Sequence, residues 1–157
     1  MSKKLLIISD SHGYDDLLLK VLRKEDYDIS VFAGDYTTNL NFMKSHFDYF
    51  VDGNNDYAHK DVEIFEIEQL KFVLVHSHQF FSFDKEVYFK RMREFAKKYN
   101  ANVLIYGHTH YQIIDSEIEP ILVNPGSIAL PRGPKQKGSY VVATIDKNKI
   151  NFKIKYI

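Results

Sequence analysis

No cysteine occurs at any of the 157 positions. This excludes disulfide scaffolds, zinc fingers, iron–sulfur clusters and thiol nucleophiles together. Any metal must therefore be held by His, Asp, Glu or Asn. An excess of one charge is also lacking: 21 Lys and Arg balance 21 Asp and Glu, and the isoelectric point is about 7.1. That balance excludes the strongly basic footprint of a dedicated DNA or RNA binder and the acidity of a disordered tail. No apolar run approaches the ~18 residues of a membrane span. Lys3 and Lys4 precede Leu5-Leu6-Ile7-Ile8, but that run is about half a signal-peptide core and stops at Ser9-Asp10. The cytoplasm is the expected location, away from any membrane. Repeats, low-complexity tracts and linkers are missing too. With 45% hydrophobic and 27% charged residues, the chain reads as one globular domain, 1–157, around one sizeable core.

What is present is an ordered set of elements. Residues 5–8 form a continuous apolar run, as expected of a strand buried on both faces. A helical pattern follows Gly13, with Leu17, Leu18, Val21 and Leu22 on one side and Asp15, Asp16, Lys20, Arg23 and Lys24 on the other. Residues 29–33 read as a second strand ended by Gly34-Asp35, 40–45 as a short helix, and 47–51 as a third strand ended by Asp52-Gly53. Such alternation implies parallel strands with right-handed crossovers. Functional groups should then lie beyond the carboxyl ends of the strands, where Asp10, Asp35 and Asn54 fall. Residues 62–67 and 71–75, split by Glu68-Gln69, read as a hairpin. The clearest helix is 84–100, through Tyr88, Met92, Phe95, Ala96 and Tyr99; strands are expected at 102–106, 112–117, 120–123, 139–145 and 150–157. The fold class is α/β (α+β), with two facing sheets that carry helices on their outer sides.

Five of the seven histidines, His12, His76, His78, His108 and His110, follow directly on apolar strand-like runs, as do Asp10, Asp35 and Asn54. Singly these are ordinary features. Asp10-Ser11-His12 can be a turn with an Asx hydrogen bond, Gly34-Asp35 a tight turn, and Asn54-Asn55-Asp56 a loop. His108-Thr109-His110 says more, because alternate residues on an extended segment point the same way and can share a site. The order says most. Asp10-Ser11-His12, Gly34-Asp35, Gly53-Asn54-Asn55-Asp56, His76-Ser77-His78 and Gly107-His108-Thr109-His110 together resemble the signature of the calcineurin-like metallophosphoesterases. Asn124-Pro125-Gly126-Ser127, followed by Pro131-Arg132, is similar to the small bacterial and archaeal phosphodiesterases of the YfcE type. The resemblance runs from residue 5 to 132 by motif.

That resemblance implies a four-layer αββα sandwich, two mixed central sheets between helices, with two metal ions at the strand ends. One ion would take Asp10, His12 and His110; the second would take Asn54, His76 and His108; Asp35 would bridge both. Mn²⁺ is the metal most associated with this branch, with Ni²⁺, Zn²⁺ or Fe as alternatives. The donor chemistry agrees, since imidazole with carboxylate and amide oxygen suits these metals better than Ca²⁺ or Mg²⁺. A bridging carboxylate can hold two ions at the ~3.5–4 Å of a two-metal hydrolase. Two divalent ions, two carboxylates and a hydroxide leave a surplus of about one positive charge, which the neutral Asn54 preserves. The implied reaction is hydrolysis of a small phosphodiester, a metal-acidified hydroxide attacking phosphorus in line. A phosphomonoesterase or nucleotidase on the same site is one alternative. Another is a non-catalytic protein-binding scaffold, as in the retromer subunit of this fold. Net neutrality argues against long nucleic acids, leaving a short nucleotide diester open.

Many relatives carry His after the motif asparagine; here Asn55 stands there and Asp56 follows, as in the Gly-Asn-x-Asp variant of the YfcE type. The catalytic candidates are therefore His78, Asn55 and Asp56. His78 either gives a proton to the leaving alkoxide or orients His76 or Asp35. Asp56 either accepts the free N–H of a ligand histidine or caps the turn after Asn54. Ser77 stands where Gly is usual. Arg132, at the family's Pro-Arg position, is the candidate contact to the substrate phosphate. Lys135, Lys137, His46 and His59 read as surface residues. The aromatic side chains of Gln79-Phe80-Phe81-Ser82-Phe83 either stack on a nucleobase or leaving group, or serve packing or a subunit contact. Twelve Phe and 11 Tyr leave material for a homo-oligomer interface.

Overall fold

The computed structural model describes residues 2–157. In chain order the elements are β1 (Lys3–Ile8), α1 (Asp15–Lys24), β2 (Ile29–Phe32), α2 (Leu40–His46), β3 (Tyr49–Phe50), β4 (Val62–Ile67), β5 (Leu70–Val75), α3 (Lys85–Lys97), β6 (Val103–Ile105), β7 (Ile113–Asp115), β8 (Ile121–Asn124), β9 (Ser139–Asp146) and β10 (Lys149–Tyr156). They form two five-stranded sheets, ordered β10-β9-β1-β2-β3 and β4-β5-β6-β8-β7. Both sheets are mixed. β1, β2 and β3 run parallel, with β9 antiparallel to β1 and β10 at the edge. In the second sheet β5, β6 and β8 run parallel, flanked by antiparallel β4 and β7.

The apolar run of β1 is continuous because each face of the strand meets a different layer. Leu5 and Ile7 point into the space between the sheets, with Val31 and Val141 from their own sheet and Phe72, Leu74, Val103 and Ile105 from the facing one. Leu6 and Ile8 point outward to α1 and α2, against Leu18, Val21 and Met43. On the other outer side α3 buries Tyr88, Met92 and Ala96, one stripe at four-residue spacing, over Val73 and Leu104. The result is the four-layer αββα order.

Local chemistry sets the helix ends. Asp84 caps α3 by accepting N–H bonds from Glu86 and Val87 at 3.0 and 3.3 Å. α1 carries Asp15 and Asp16 in its first turn and Arg23 and Lys24 in its last, which complements its dipole. Several expected elements are shorter than the pattern suggested. The third strand keeps only Tyr49–Phe50, α3 stops at Lys97 before Asn100 turns to φ +55°, and β7 keeps three residues. No helix among the described residues is long and apolar enough to cross a membrane.

Candidate metal centre

Seven side chains follow the carboxyl ends of β1, β2, β3, β5 and β6 and converge. His12 Nε2 and His110 Nε2 face each other at 3.2 Å. Asp10 Oδ1 lies 3.2 Å from His110 Nε2 and 3.8 Å from both His12 Nε2 and His76 Nε2. Asp35 Oδ2 sits between the two halves, 3.7 Å from His12 Nε2 and 3.3 Å from His76 Nε2. Asn54 Oδ1 completes the far side, 3.0 Å from His76 Nε2 and 3.3 Å from His108 Nδ1. Donor atoms bound to one ion at about 2.0–2.2 Å stand about 3.0–3.5 Å apart, close to this spacing.

The pairing of these atoms also calls for a cation. His76 Nδ1 donates to Ala33 O at 2.7 Å and His110 Nδ1 to Leu130 O at 2.8 Å. With the proton fixed on Nδ1, each neutral ring turns the lone pair of Nε2 toward the cage. There it meets the acceptors Asn54 Oδ1 and Asp35 Oδ2 for His76, and Asp10 Oδ1 beside the His12 ring nitrogen for His110. Asp10 Oδ2 is occupied by Ser9 Oγ–H at 2.5 Å and His108 N–H at 3.2 Å, whereas its Oδ1 is buried without a hydrogen-bond partner. Facing acceptors and an orphaned buried oxygen are stable only with a proton or a metal ion between them.

Protons feel the same field. Burial alone would raise the Asp10 pKa, but contacts from His110 and His12 hold it well below the carboxylate range. Asp35 is lowered in the same way, by His76 against its burial. The Asp10 contact raises His12, and Asp35 and Asp10 raise His76 despite burial. Burial, then the charge of His76, pushes His108 down to about 4. Asp10, Asp35, His76 and His110 are buried, His12 and His108 half-buried and Asn54 exposed, so the centre opens to solvent on the Asn54 side.

The backbone is shaped to aim these groups. Among the described non-glycine residues, eleven have positive φ, and five of them are cage residues: Asp10 (55°), His12 (45°), Asp35 (60°), His108 (74°) and His110 (62°). Thr37 and Ser77 lie within two residues of the cage side chains. The motif glycines serve close approach. A Cβ on Gly53 would meet the Asp35 carboxylate, and one on Gly107 would meet Asp10 and Ser9.

A family model described as the calcineurin-like phosphoesterase superfamily domain matches residues 4–148. The chain belongs to that superfamily. A probable metallophosphoesterase of Mycoplasma pneumoniae is 34% identical over 148 residues, 94% of this chain and 93% of that protein. A solved structure from Streptococcus pneumoniae TIGR4, described as a predicted phosphoesterase, superposes with a TM-score of 0.85 at 23% identity, over 99% of this chain and 90% of that one. An archaeal phosphodiesterase gives 0.68 at 22% identity, over 98% and 99%. Vps29 of Entamoeba histolytica complexed with Zn²⁺ gives 0.74 at 18%, over 98% of each chain. These structural likenesses show a shared fold.

In this calcineurin-like domain the other candidates fall at different distances from the cage. Asn55 donates its N–H to Asp35 Oδ1 and its Nδ2–H to Asp35 Oδ2, both at 3.0 Å, which fixes the plane of that carboxylate. Asp56 is buried and gives both oxygens to backbone amides: Oδ2 accepts from Asp35 (2.7 Å), Gly53 (2.8 Å) and Tyr36 (3.3 Å), and Oδ1 from Thr37 (2.9 Å). Of its two expected roles the turn contact is present, through Gly53. Among the described residues no histidine bonds to it. His78 opens a single 3₁₀ turn, His78–Phe80, with its ring centroid 5.5 Å from His76 and 6.3 Å from His108. Arg132 is exposed, and its N–H bonds to His110 O at 2.9 Å.

Two expectations need correcting. His46 and His59 are half-buried rather than surface residues, because their rings pack on Phe42 and Phe50 at 4.4 and 4.1 Å. Several supporting residues had no distinguishing signal in the sequence. Ser9 holds Asp10, and Ser127 Oγ donates to Asp10 O at 2.6 Å. Asn124 Nδ2 donates to Gly107 O and Thr109 Oγ1, which shapes the turn that carries His108. For Asn124 and Ser127 the Asn-Pro-Gly-Ser block marked the place but not the contact.

Proposed function

We propose that the protein is a phosphodiesterase that hydrolyses a small phosphodiester with two divalent ions, Mn²⁺ ahead of Ni²⁺, Zn²⁺ or Fe. The observation that carries this reading is the continuous set of closely spaced ring nitrogens and oxygens from His110 and Asp10 through His12, Asp35 and His76 to Asn54 and His108. Seven donors exceed the four of a zinc site and the six of an octahedral ion. Asp10, His12 and His110 would hold one ion and Asn54, His76 and His108 the other, with Asp35 between. Ions bound there would acidify a water and draw charge from the phosphoryl oxygens.

The chain's own groups do the rest. The carbonyls of Ala33 and Leu130 fix two tautomers, Asn55 fixes the Asp35 plane, and Ser9 leaves only one Asp10 oxygen free. His78, beside the cage, is assigned the proton that the leaving alkoxide needs. Arg132 is assigned to the substrate phosphate, because a guanidinium matches two phosphoryl oxygens. A diester is favoured over a monoester by the likeness to an archaeal phosphodiesterase. The likeness to Vps29 makes a protein-binding scaffold the second reading. The complete donor set favours the enzyme.

Protein stripped of metal and reloaded with Mn²⁺ should hydrolyse bis(p-nitrophenyl) phosphate, and Asp35→Ala should abolish this. Full activity in Asp35→Ala would end the two-metal reading. A panel of monoesters, diesters and cyclic nucleotides separates the substrate classes, and a wild type with no turnover on any of them would support the scaffold.

A further inference from the structure

The turn that carries His108 forms one wall of a second feature. Beside it lies a cavity of about 410 Å³, lined by Phe81, Phe83, Tyr88, Phe89, Tyr106 and Tyr111, with Thr109 and Ser82 as its small polar groups. Its volume falls within the ~300–1,000 Å³ of small-molecule sites. The cavity borders the cage: the Phe81 ring in its wall stands edge-on to His108 at 5.3 Å, and Thr109 follows His108 directly.

We propose that this cavity receives a planar aromatic group, a nucleobase or an aryl ring, carried as one ester arm of the phosphodiester, an inference that rests on the phosphodiesterase reading above. The floor is mostly ring surface, and the Thr109 hydroxyl already accepts from Asn124 Nδ2 at 2.9 Å. Tyr88 and Tyr106 are buried, and the Tyr88 hydroxyl pairs with Ser77 Oγ. The rim is open. Phe83 is 98% exposed and Tyr111 45% exposed, so two large ring faces stand free beside a site for an anion. Lys85 stacks its ammonium over Phe89 at 5.3 Å, adding a cation at the mouth. A phosphate held at the cage would direct an ester arm past the Phe81 ring that adjoins His108, and ring stacking accepts any base because every base has a π-face. The cage then selects the phosphoryl group and the cavity selects the arm.

The test compares two diesters with the same leaving group, bis(p-nitrophenyl) phosphate and methyl p-nitrophenyl phosphate, on Mn²⁺-loaded protein. Phe83→Ala and Tyr111→Ala, both exposed and so compatible with folding, should lower the aryl-over-methyl ratio of kcat/KM about tenfold, chiefly through KM. Ile118→Ala, exposed but outside the cavity, should leave the ratio unchanged. A constant ratio in both cavity variants overturns the proposal. Adenosine titrated into the protein as purified should shift the amide signals of Phe83, Thr109 and Tyr111, and each cavity variant should weaken that binding. No shift there overturns the cavity's role, as does a dimer that Phe83→Ala dissociates. Adenosine binding without hydrolysis of either diester supports the cavity and rejects the phosphodiesterase reading.

Discussion

Asp56→Ala should damage the protein far more than the loss of one carboxylate suggests. The Asp56 side chain accepts three short N–H bonds, from Asp35 (2.7 Å), Gly53 (2.8 Å) and Thr37 (2.9 Å), and a longer one from Tyr36. An orphaned buried donor costs about 1–3 kcal/mol. With some rehydration next to the exposed Asn54 and Asn55, the three strong donors together come to about 3–5 kcal/mol. That is a large share of the ~5–15 kcal/mol of an ordinary domain. At about 2–4 °C per kcal/mol for this chain length, the melting temperature should fall by about 6–20 °C. Those amides belong to the loops that present Asp35 and Asn54, so metal affinity should fall with stability. Asp56→Asn retains one acceptor oxygen but turns an NH₂ toward the same donors, and should lose at least half as much. Urea and thermal unfolding of the metal-free proteins gives the first number and titration calorimetry with Mn²⁺ the second. Asp52→Ala is the control: it loses the Tyr36 O–H and His59 N–H bonds at 2.6 and 2.8 Å, but no amide of the Asp35 loop. A melting temperature within about 2 °C of wild type for Asp56→Ala, or metal affinity that falls no further than in Asp52→Ala, would refute the clamp.

Glu25 accepts from Lys155 Nζ at 2.8 Å and Tyr140 Oη at 2.5 Å. Burial alone would raise its pKa, but these partners bring it below 4.5, so its contribution holds above that value and is lost as pH falls through the folded pKa. Glu25→Gln should cost about 1–3 kcal/mol at pH 7 and flatten the fall of the urea midpoint between pH 5 and 3; an unchanged acid limb rejects this. His78→Gln should spare p-nitrophenolate release, which needs no proton, yet slow an alkyl leaving group by about 10²-fold; equal losses on both would remove His78 as the acid. Asn54→Asp would remove the surplus positive charge of the proposed two-ion centre, so Mn²⁺ should bind more tightly while turnover falls about tenfold; full turnover contradicts the charge argument. Ser77, at φ +85°, donates or accepts with Tyr88 Oη. Ser77→Ala loses that bond without relief, so Ser77→Gly should be the more stable of the two by about 1–2 kcal/mol, and the reverse order in urea melts would deny the strain.

Elements with one dominant pattern were legible. The apolar run of β1 and the four-residue spacing of Tyr88, Met92 and Ala96 are direct records of which faces are covered. β3 was overextended because Phe47 and Val51, which flank the strand, are buried in the core, and burial alone does not separate strand from loop. His46 and His59 were misplaced for a related reason, since stacking on Phe42 and Phe50 brings together residues whose contact has no periodic trace. The cage residues were legible through their order along the chain, and so was the contact of Asp56 to its own turn, but its bonds to the Asp35 loop were not. A carboxylate that accepts four backbone amides looks, in sequence, like any Asp in a loop. Ser9 was hidden in the same way.

Ligand type and backbone shape are coupled at this centre. Each loop that bears a proposed ligand leaves a parallel strand and must turn sharply for its side chain to face the facing sheet's loops. Five cage residues make that turn at positive φ, a region open to Asp, Asn and His more readily than to branched or bulky residues. The residue types that can ligate a metal are thus also the ones that tolerate the turn. Neither demand alone explains the pattern: a turn would accept Gly at Asp10 or His110, and a metal would accept Glu. Asp and His satisfy both, and short side chains leave little slack in where the donor atom falls. The Asp56 clamp and the hydrogen bonds of Ser127 and Asn124 then offset the strain from outside the cage. The geometry of the centre therefore resides in the loops as much as in the ligands, so changes that spare every donor atom can still abolish metal binding.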